Sequence, residues 1–288
     1  MISPFRVLTP TTVPEAAAEL ERLGDAARIY AGGAELLLLM RHGLLEPEYL
    51  VNIKKVPGLH GTQWDGNVLH LGAAVTHREL EHDPLVHAHV PTLGEAERHI
   101  GNIRVRTQGT LGGNLAFADP HADPGTALLV HDTSVTVEGT KGPRQVPLDD
   151  FFVGTYETCL DPSELLTEVQ VQPLPSRWGW AYERIERFYR PTVNVAAAIA
   201  GNGHIEEARL AVGCVGPRAL RLPELEEKLR GLSLSDAQRE IADSGAYLTE
   251  RLEPVGDLLG GADYKIHVTG VLLARAVEQA LGRTGDAR

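Results

Sequence analysis

Only two cysteines, Cys159 and Cys214, occur among the 288 residues. That scarcity excludes a disulfide framework and suits a reducing compartment. An iron-sulfur cluster takes more thiolate ligands than this chain carries, so any such centre has to sit on another chain. Cations are scarce as well. Against 39 Asp and Glu stand 27 Lys and Arg, giving a formal net charge of -12 and a pI near 5.5. Nucleic-acid binding needs clustered Lys and Arg, so no nucleic-acid partner is expected. The longest apolar runs, Leu36 to Met40 and Val195 to Ala200, fall far short of the ~20 residues of a membrane span. Met1-Ile2-Ser3-Pro4-Phe5-Arg6 lacks a basic stretch followed by an apolar one, so no secretory signal is expected, and the location is expected to be cytoplasmic. Also lacking are G-x-G-x-x-G, the Walker phosphate loop, G-x-S-x-G and H-E-x-x-H, which disfavours Rossmann, ATPase, serine hydrolase and zincin readings.

What is present is an ordinary globular composition, 43% hydrophobic and 23% charged, with length for two compact domains. Thr12-Val13-Pro14-Glu15 has the pattern of a capping box opening a helix, closed by Gly24. A strand at Arg28 to Tyr30, a helix at Ala34 to His42 and a buried strand at Tyr49 to Ile53 then make a βαβ unit. Asp65-Gly66-Asn67 turns the chain into a strand at Val68 to Leu71, and Thr76 with Glu79 caps one further helix. A hairpin is expected from Ser134 to Val146, a strand from Leu165 to Val171 and a linker at Pro173-Leu174-Pro175. Beyond it, strands near 178–188, 193–200 and 205–214 precede helices near 222–229, 235–248 and 264–281.

Two glycine pairs carry the chemistry. Ala31-Gly32-Gly33-Ala34-Glu35 follows a strand and opens a helix, and Gly109-Thr110-Leu111-Gly112-Gly113-Asn114 comes later. Glycine lets successive N–H groups face an anion, and a following helix contributes about half a positive charge at its N-terminus. Donors from both loops together would hold a pyrophosphate without a lysine, although either pair alone is more often a plain turn. Arg104 and Arg106 flank the second loop and fit phosphate contacts or surface ion pairs equally well. His77, His82, His87 and His89 cluster without ligand spacing and are expected on a solvated face, and His121 between two aspartates lacks a full ligand set, so no metal is assigned.

The segment AGGAELLLLMRHGLLEPEYLVNIKKVPGL resembles the first flavin-binding segment of the medium subunits of molybdenum hydroxylases, the carbon monoxide and xanthine dehydrogenase type. HIGNIRVRTQGTLGGNLAFADPHADP is similar to that family's R-x-x-G-T-[IL]-G-G-N core followed by A-x-A-D-P-x-x-D. FFVGTYETCLDPSELLTEVQVQP, AAAIA and DYKIHVTGVLLARAVEQAL extend the resemblance over nearly the whole chain. It implies an α+β protein: a two-lobed FAD-binding fold of the vanillyl-alcohol-oxidase type at 1–174, with lobes at about 1–55 and 56–174, then a C-terminal domain of a small antiparallel sheet plus helices at 175–288. It implies noncovalent FAD, with the pyrophosphate wrapped by Ala31, Gly32, Gly33, Ala34 and Glu35 and the cradle completed by Thr110, Gly112, Gly113 and Asn114. Leu50 to Ile53 are expected near the adenine end. Asp123 is expected to accept from a ribityl or ribose hydroxyl, and Asp119 to act there or to cap a turn.

The family's pattern is not met everywhere. Ala34 stands where relatives often carry Thr, Gln or His, and Pro191-Thr192 where they place an Asp and a residue against the isoalloxazine. Phe188 or Tyr189 would then supply the stacking surface. The implied function is electron transfer by an oxidoreductase subunit with no acid or base residue of its own. Its implied partners are a small subunit with 2Fe-2S clusters and a large subunit with the molybdenum cofactor, in a dimer of heterotrimers. A free-standing FAD oxidoreductase of the same fold, a flavin-free assembly module and a plain adenine-nucleotide binder stay open as alternatives.

Overall fold

The computed structural model describes residues 2–187 and 190–284. Its first lobe runs through β1 (Arg6–Leu8), α1 (Val13–Leu23), β2 (Ala27–Tyr30), α2 (Ala34–Arg41) and β3 (Tyr49–Asn52), with β3 between β1 and β2 and parallel to both. Thr12 accepts the Glu15 amide, while the Glu15 carboxylate takes the Thr11 amide and hydroxyl, so the cap closes one residue earlier than the sequence pattern implies. Ala16, Ala17 and Leu20 of α1 bury their helical stripe on Ala27, Val51 and Ile53.

The second lobe comprises β4 (Thr62–Trp64), β5 (Leu69–Gly72), α3 (His77–His82), α4 (Pro84–His89), α5 (Pro91–His99), α6 (Ile103–Gln108), α7 (Leu111–Phe117), α8 (Pro124–Leu129), β6 (Asp132–Gly139), β7 (Gly142–Pro147), α9 (Leu148–Phe151), β8 (Phe152–Gly154), β9 (Glu157–Thr158) and β10 (Leu165–Gln172). Its sheet is antiparallel, in the order β4-β5-β10-β6-β7. The capping box of Thr76 and Glu79 is complete. Where the sequence pattern gives one helix after Thr76, the structure has six, α3 to α8. Pro84, Pro91 and Pro124 restart the chain at the first turns of three of them. Such short helices are marginal alone and are held by packing, here through Leu80, Val86, Leu93, Leu115 and Leu128 in the main core.

The C-terminal domain has an antiparallel sheet, β11 (Trp178–Arg187), β12 (Arg190–Gly201), β13 (Ile205–Gly213) and β14 (Leu220–Arg221), and the helices α10 (Pro223–Leu229), α11 (Leu234–Asp243), α12 (Gly245–Leu252) and α13 (Ala262–Gly282). The long helix expected over 235–248 is two helices, broken at Ser244, whose hydroxyl donates to the Ile241 carbonyl. Along β12, Ala196, Ala198 and Ala200 join the core shared with the second lobe, and Val193, Val195, Ala197 and Ile199 join the core under α13. That alternation is the period of two of a strand buried on both faces. Among the described residues no helix is long and apolar enough to cross a membrane.

Loop 118–123 fastens the two domains. One Asp123 oxygen accepts from the Tyr182 hydroxyl at 2.6 Å and from Asn194 Nδ2 at 3.0 Å, and the other pairs with Arg184 at 2.9 Å, with both charged side chains 5% exposed. His121 Nε2 lies 2.9 Å from Asp257 Oδ2, which also accepts from the buried Lys265 Nζ at 2.7 Å. Burial opposes the Asp257 charge, but the Lys265 and Leu259 hydrogen bonds outweigh it and hold the carboxyl down at about 2.

Two outcomes follow from this junction. Asp123→Ala leaves the buried Arg184 with only the exposed Glu186 as counter-ion and strips the Tyr182 and Asn194 donors of their acceptor, and should lower unfolding stability by about 3–5 kcal/mol in urea titrations; a loss under 1 kcal/mol would contradict the role. A carboxyl depressed in the folded state stabilises above its unfolded pKa of about 3.9, and that contribution disappears as pH falls toward its folded value. Asp257→Asn should therefore lose less stability than the unsubstituted chain between about pH 4 and about pH 2, measured by thermal melting across that window.

Candidate functional site: the first glycine loop and its mouth

Gly33 caps α2 in the left-handed conformation, φ 83°, with the Tyr30 ring against the place where a side chain would begin. Gly32 faces the second loop. A methyl group there would collide with the Gln108 carbonyl oxygen and lie 2.8 Å from Gly109 Cα, so the two loops touch only because position 32 has no side chain. The amides of Gly32, Gly33, Ala34 and Glu35 have no hydrogen-bond acceptor among the described residues. Successive unpaired donors at the start of an eight-residue helix form a site for an anion. No side chain caps α2, so Ala34 contributes through its backbone.

The second loop has a different task from the one its glycines suggest. Leu111, Gly112, Gly113 and Asn114 donate their amides to Val75 O, Ala73 O, Thr110 Oγ1 and Thr110 O, so these donors are spent within the protein. Gly112 packs so closely on Ala73 that a methyl group would lie 2.7 Å from its carbonyl oxygen. This loop is a clamp that brings Gln108 and Gly109 against Gly32. Two of its groups stay uncommitted among the described residues: the Thr110 amide, and the buried Asn114 Oδ1, which has no partner. A polar cofactor with hydroxyl donors and a diphosphate fits that donor set: unpaired amides on one loop and an unpaired buried acceptor on the other.

Other expected residues fall elsewhere. Leu50 and Ile53 are core residues of the first lobe's strand region, with side chains 1% and 3% exposed, and present no side chain to a ligand. Asp123 is engaged at the domain junction, where its oxygens accept from Tyr182, Asn194 and Arg184. Asp119 caps a turn by accepting the His121 amide at 2.9 Å, and its second oxygen lies 3.4 Å from Arg190. Arg106 pairs with Glu81 and the Ile100 carbonyl rather than facing the loops, while Arg104 is exposed. His77 is not on a solvated face: it is buried, hydrogen-bonded to Glu97 at 2.7 Å, and its amide donates to Gly109 O. Phe188 and Tyr189 lie outside the described residues, and Pro191 and Thr192 are buried in β12.

Residues missed by sequence reasoning complete the mouth of the first loop. Arg190, Tyr156, Asp119 and Glu35 interact there, although they come from β12, the turn before β9, loop 118–123 and α2. Burial pushes the Glu35 carboxyl up, with Arg190 opposing and Asp119 adding to the shift. Burial likewise raises the Tyr156 hydroxyl, and Asp119 adds to that shift while Arg190 opposes it. Tyr156 (φ 57°) and Ala118 (φ 49°) both hold left-handed backbone, tied by the Tyr156 amide on Ala118 O. Strain of this kind concentrates at functional sites. The sequence signal was slight: Arg190 is one arginine among many, and Tyr156 stands in a short turn between two strands.

Comparison with known proteins gives the family. Residues 3–175 match the FAD binding domain in molybdopterin dehydrogenase, and residues 181–280 match the CO dehydrogenase flavoprotein C-terminal domain. The carbon monoxide dehydrogenase medium chain of Hydrogenophaga pseudoflava is 34% identical, over 98% of this chain and 99% of its own length. The nicotine 6-hydroxylase medium subunit of Paenarthrobacter nicotinovorans is 32% identical, over 97% and 98%. A solved carbon monoxide dehydrogenase from Hydrogenophaga pseudoflava superimposes with a TM-score of 0.94 at 33% identity, covering 99% of this chain and 100% of that one. Quinoline 2-oxidoreductase from Pseudomonas putida 86 does so with a TM-score of 0.91 at 29% identity, covering 99% of each chain. Over nearly its whole length, the chain therefore belongs to the family of FAD-binding medium subunits of the molybdenum hydroxylases.

Proposed function

We propose that this chain passes electrons from iron-sulfur clusters on a small partner subunit to an external acceptor, with the molybdenum centre and substrate oxidation on a large partner subunit. The observation that carries the reading is the row of unpaired amides at Gly32, Gly33, Ala34 and Glu35, set against a second loop that offers an unpaired Asn114 oxygen. FAD, when bound, supplies the redox chemistry; the protein's tasks are binding and orientation.

The first loop's amides and the α2 N-terminus would hold the diphosphate. Thr110 and Asn114 would meet cofactor hydroxyls or phosphate oxygens, while Gly112 and Gly113 act one step removed, by fixing the clamp. Glu35 and Asp119 lie at the mouth with Arg190, so the charge there is set by groups from both domains. With two cysteines, the chain cannot ligate the clusters that would deliver the electrons. The partners are then obligatory, and the assembly is a dimer of heterotrimers in the cytoplasm.

Native purification without added cofactor should release close to one FAD per chain on denaturation, and co-purify iron and molybdenum with two further subunits. A colourless chain that takes up no FAD on incubation would favour the flavin-free assembly module. Gly32→Ala should separate the loops and cut retained FAD by roughly tenfold or more, the size expected from losing one charge-assisted hydrogen bond. Unchanged flavin content in a folded Gly32→Ala chain would show that the contact between the loops is not what shapes the cofactor site.

A further inference from the structure

The cradle described above is built by the first domain, yet the cation at its mouth belongs to the second. Arg190 begins β12, and its side chain is 51% exposed. Its carboxylate contact is loose, 3.4 Å to Asp119 Oδ2, while Asp119 keeps its other oxygen on the His121 amide. Its charge also acts on the Tyr156 hydroxyl and on Glu35, the second residue of α2. The guanidinium therefore stands near the α2 N-terminus, whose first amides have no acceptor among the described residues.

Two carboxylates at that mouth would repel an incoming diphosphate, and a helix terminus offsets only part of that repulsion. A guanidinium is shaped to take phosphate oxygens two at a time, and a half-exposed arginine on a loose partner can exchange it at little cost. We propose that Arg190 leaves Asp119 on cofactor binding and pairs with the FAD diphosphate, so that a residue of the C-terminal domain completes the cradle of the first. This rests on the assignment of FAD to the first glycine loop. It makes cofactor retention depend on the docking of the two domains, and it gives the Asp119 carboxylate the task of holding the arginine ready.

The test is calorimetric titration of the flavin-stripped full chain, unsubstituted, Arg190→Gln and Arg190→Lys, with FAD and with ADP, which carries the diphosphate without the flavin ring. Thermal melting checks that each variant is folded. Arg190→Gln should weaken FAD and ADP in the same proportion, roughly ten- to hundredfold, with a shallower salt dependence. Arg190→Lys, which keeps the charge but not the fork, should fall between. Equal affinities in the unsubstituted chain and Arg190→Gln would overturn the proposal, as would a loss confined to FAD, which would place Arg190 against the flavin ring. An unsubstituted chain that binds no FAD would instead overturn the functional reading beneath it.

Discussion

The approach of Gly32 to the Gln108 carbonyl sets the geometry on which the site depends. Two backbones can come that close only where one residue has no side chain, and the contact joins the first lobe's βαβ unit to the helical stretch of the second. On the second loop's side the amides of Leu111 to Asn114 are spent on keeping it there, and only the Thr110 amide and Asn114 Oδ1 stay uncommitted among the described residues. Its amides bond to Ala73, Val75 and Thr110, Gly112 nests on Ala73, and the buried His77 ties Gly109 through its amide. The row of unpaired donors lies at the start of α2. Glycine-rich loops of similar look therefore do opposite jobs: one leaves its amides unpaired, the other consumes them.

The same economy explains the aspartates. An A-D-P-x-x-D stretch beside a cofactor loop invites both carboxylates to be read as ligands. In the structure Asp123 is filled by Tyr182, Arg184 and Asn194, and Asp119 is divided between its own turn and Arg190. The loop they frame joins the domains, and His121 adds a second link through Asp257 to Lys265. A buried ion pair of this kind costs desolvation and is weak evidence for stability by itself, but removing one partner is strongly unfavourable. The junction is thus specified by polar groups as well as by the alanine face of β12 packed into the shared core.

Much of the fold was legible because it is written locally. Thr12 and Thr76 mark helix starts, Asp65-Gly66-Asn67 marks a turn, and the alternation of β6 and the apolar run of β12 mark strands, each with a short-range physical cause. The helices α4 to α6 and α8 were not legible, since they are too short to be stable alone and exist by packing; prolines hinted at α4, α5 and α8, and nothing comparable at α6. The break at Ser244 was missed because both halves carry the same helical stripe. At the site, Ala31 to Glu35 could be found from glycines following a strand. The partners of Asp123 could not, because Tyr182 and Asn194 lie 59 and 71 residues away and nothing local points to them. Arg190 and Tyr156 were missed for the same reason: their roles come from proximity that the fold creates.

A crystal structure of the chain with FAD bound separates the two loops most directly. Diphosphate oxygens within hydrogen-bond distance of the Gly32 to Glu35 amides, with the Gly112 and Gly113 amides still on their internal acceptors, would bear out the division of labour described here. A diphosphate seated on the α7 terminus, with those internal bonds broken, would contradict it.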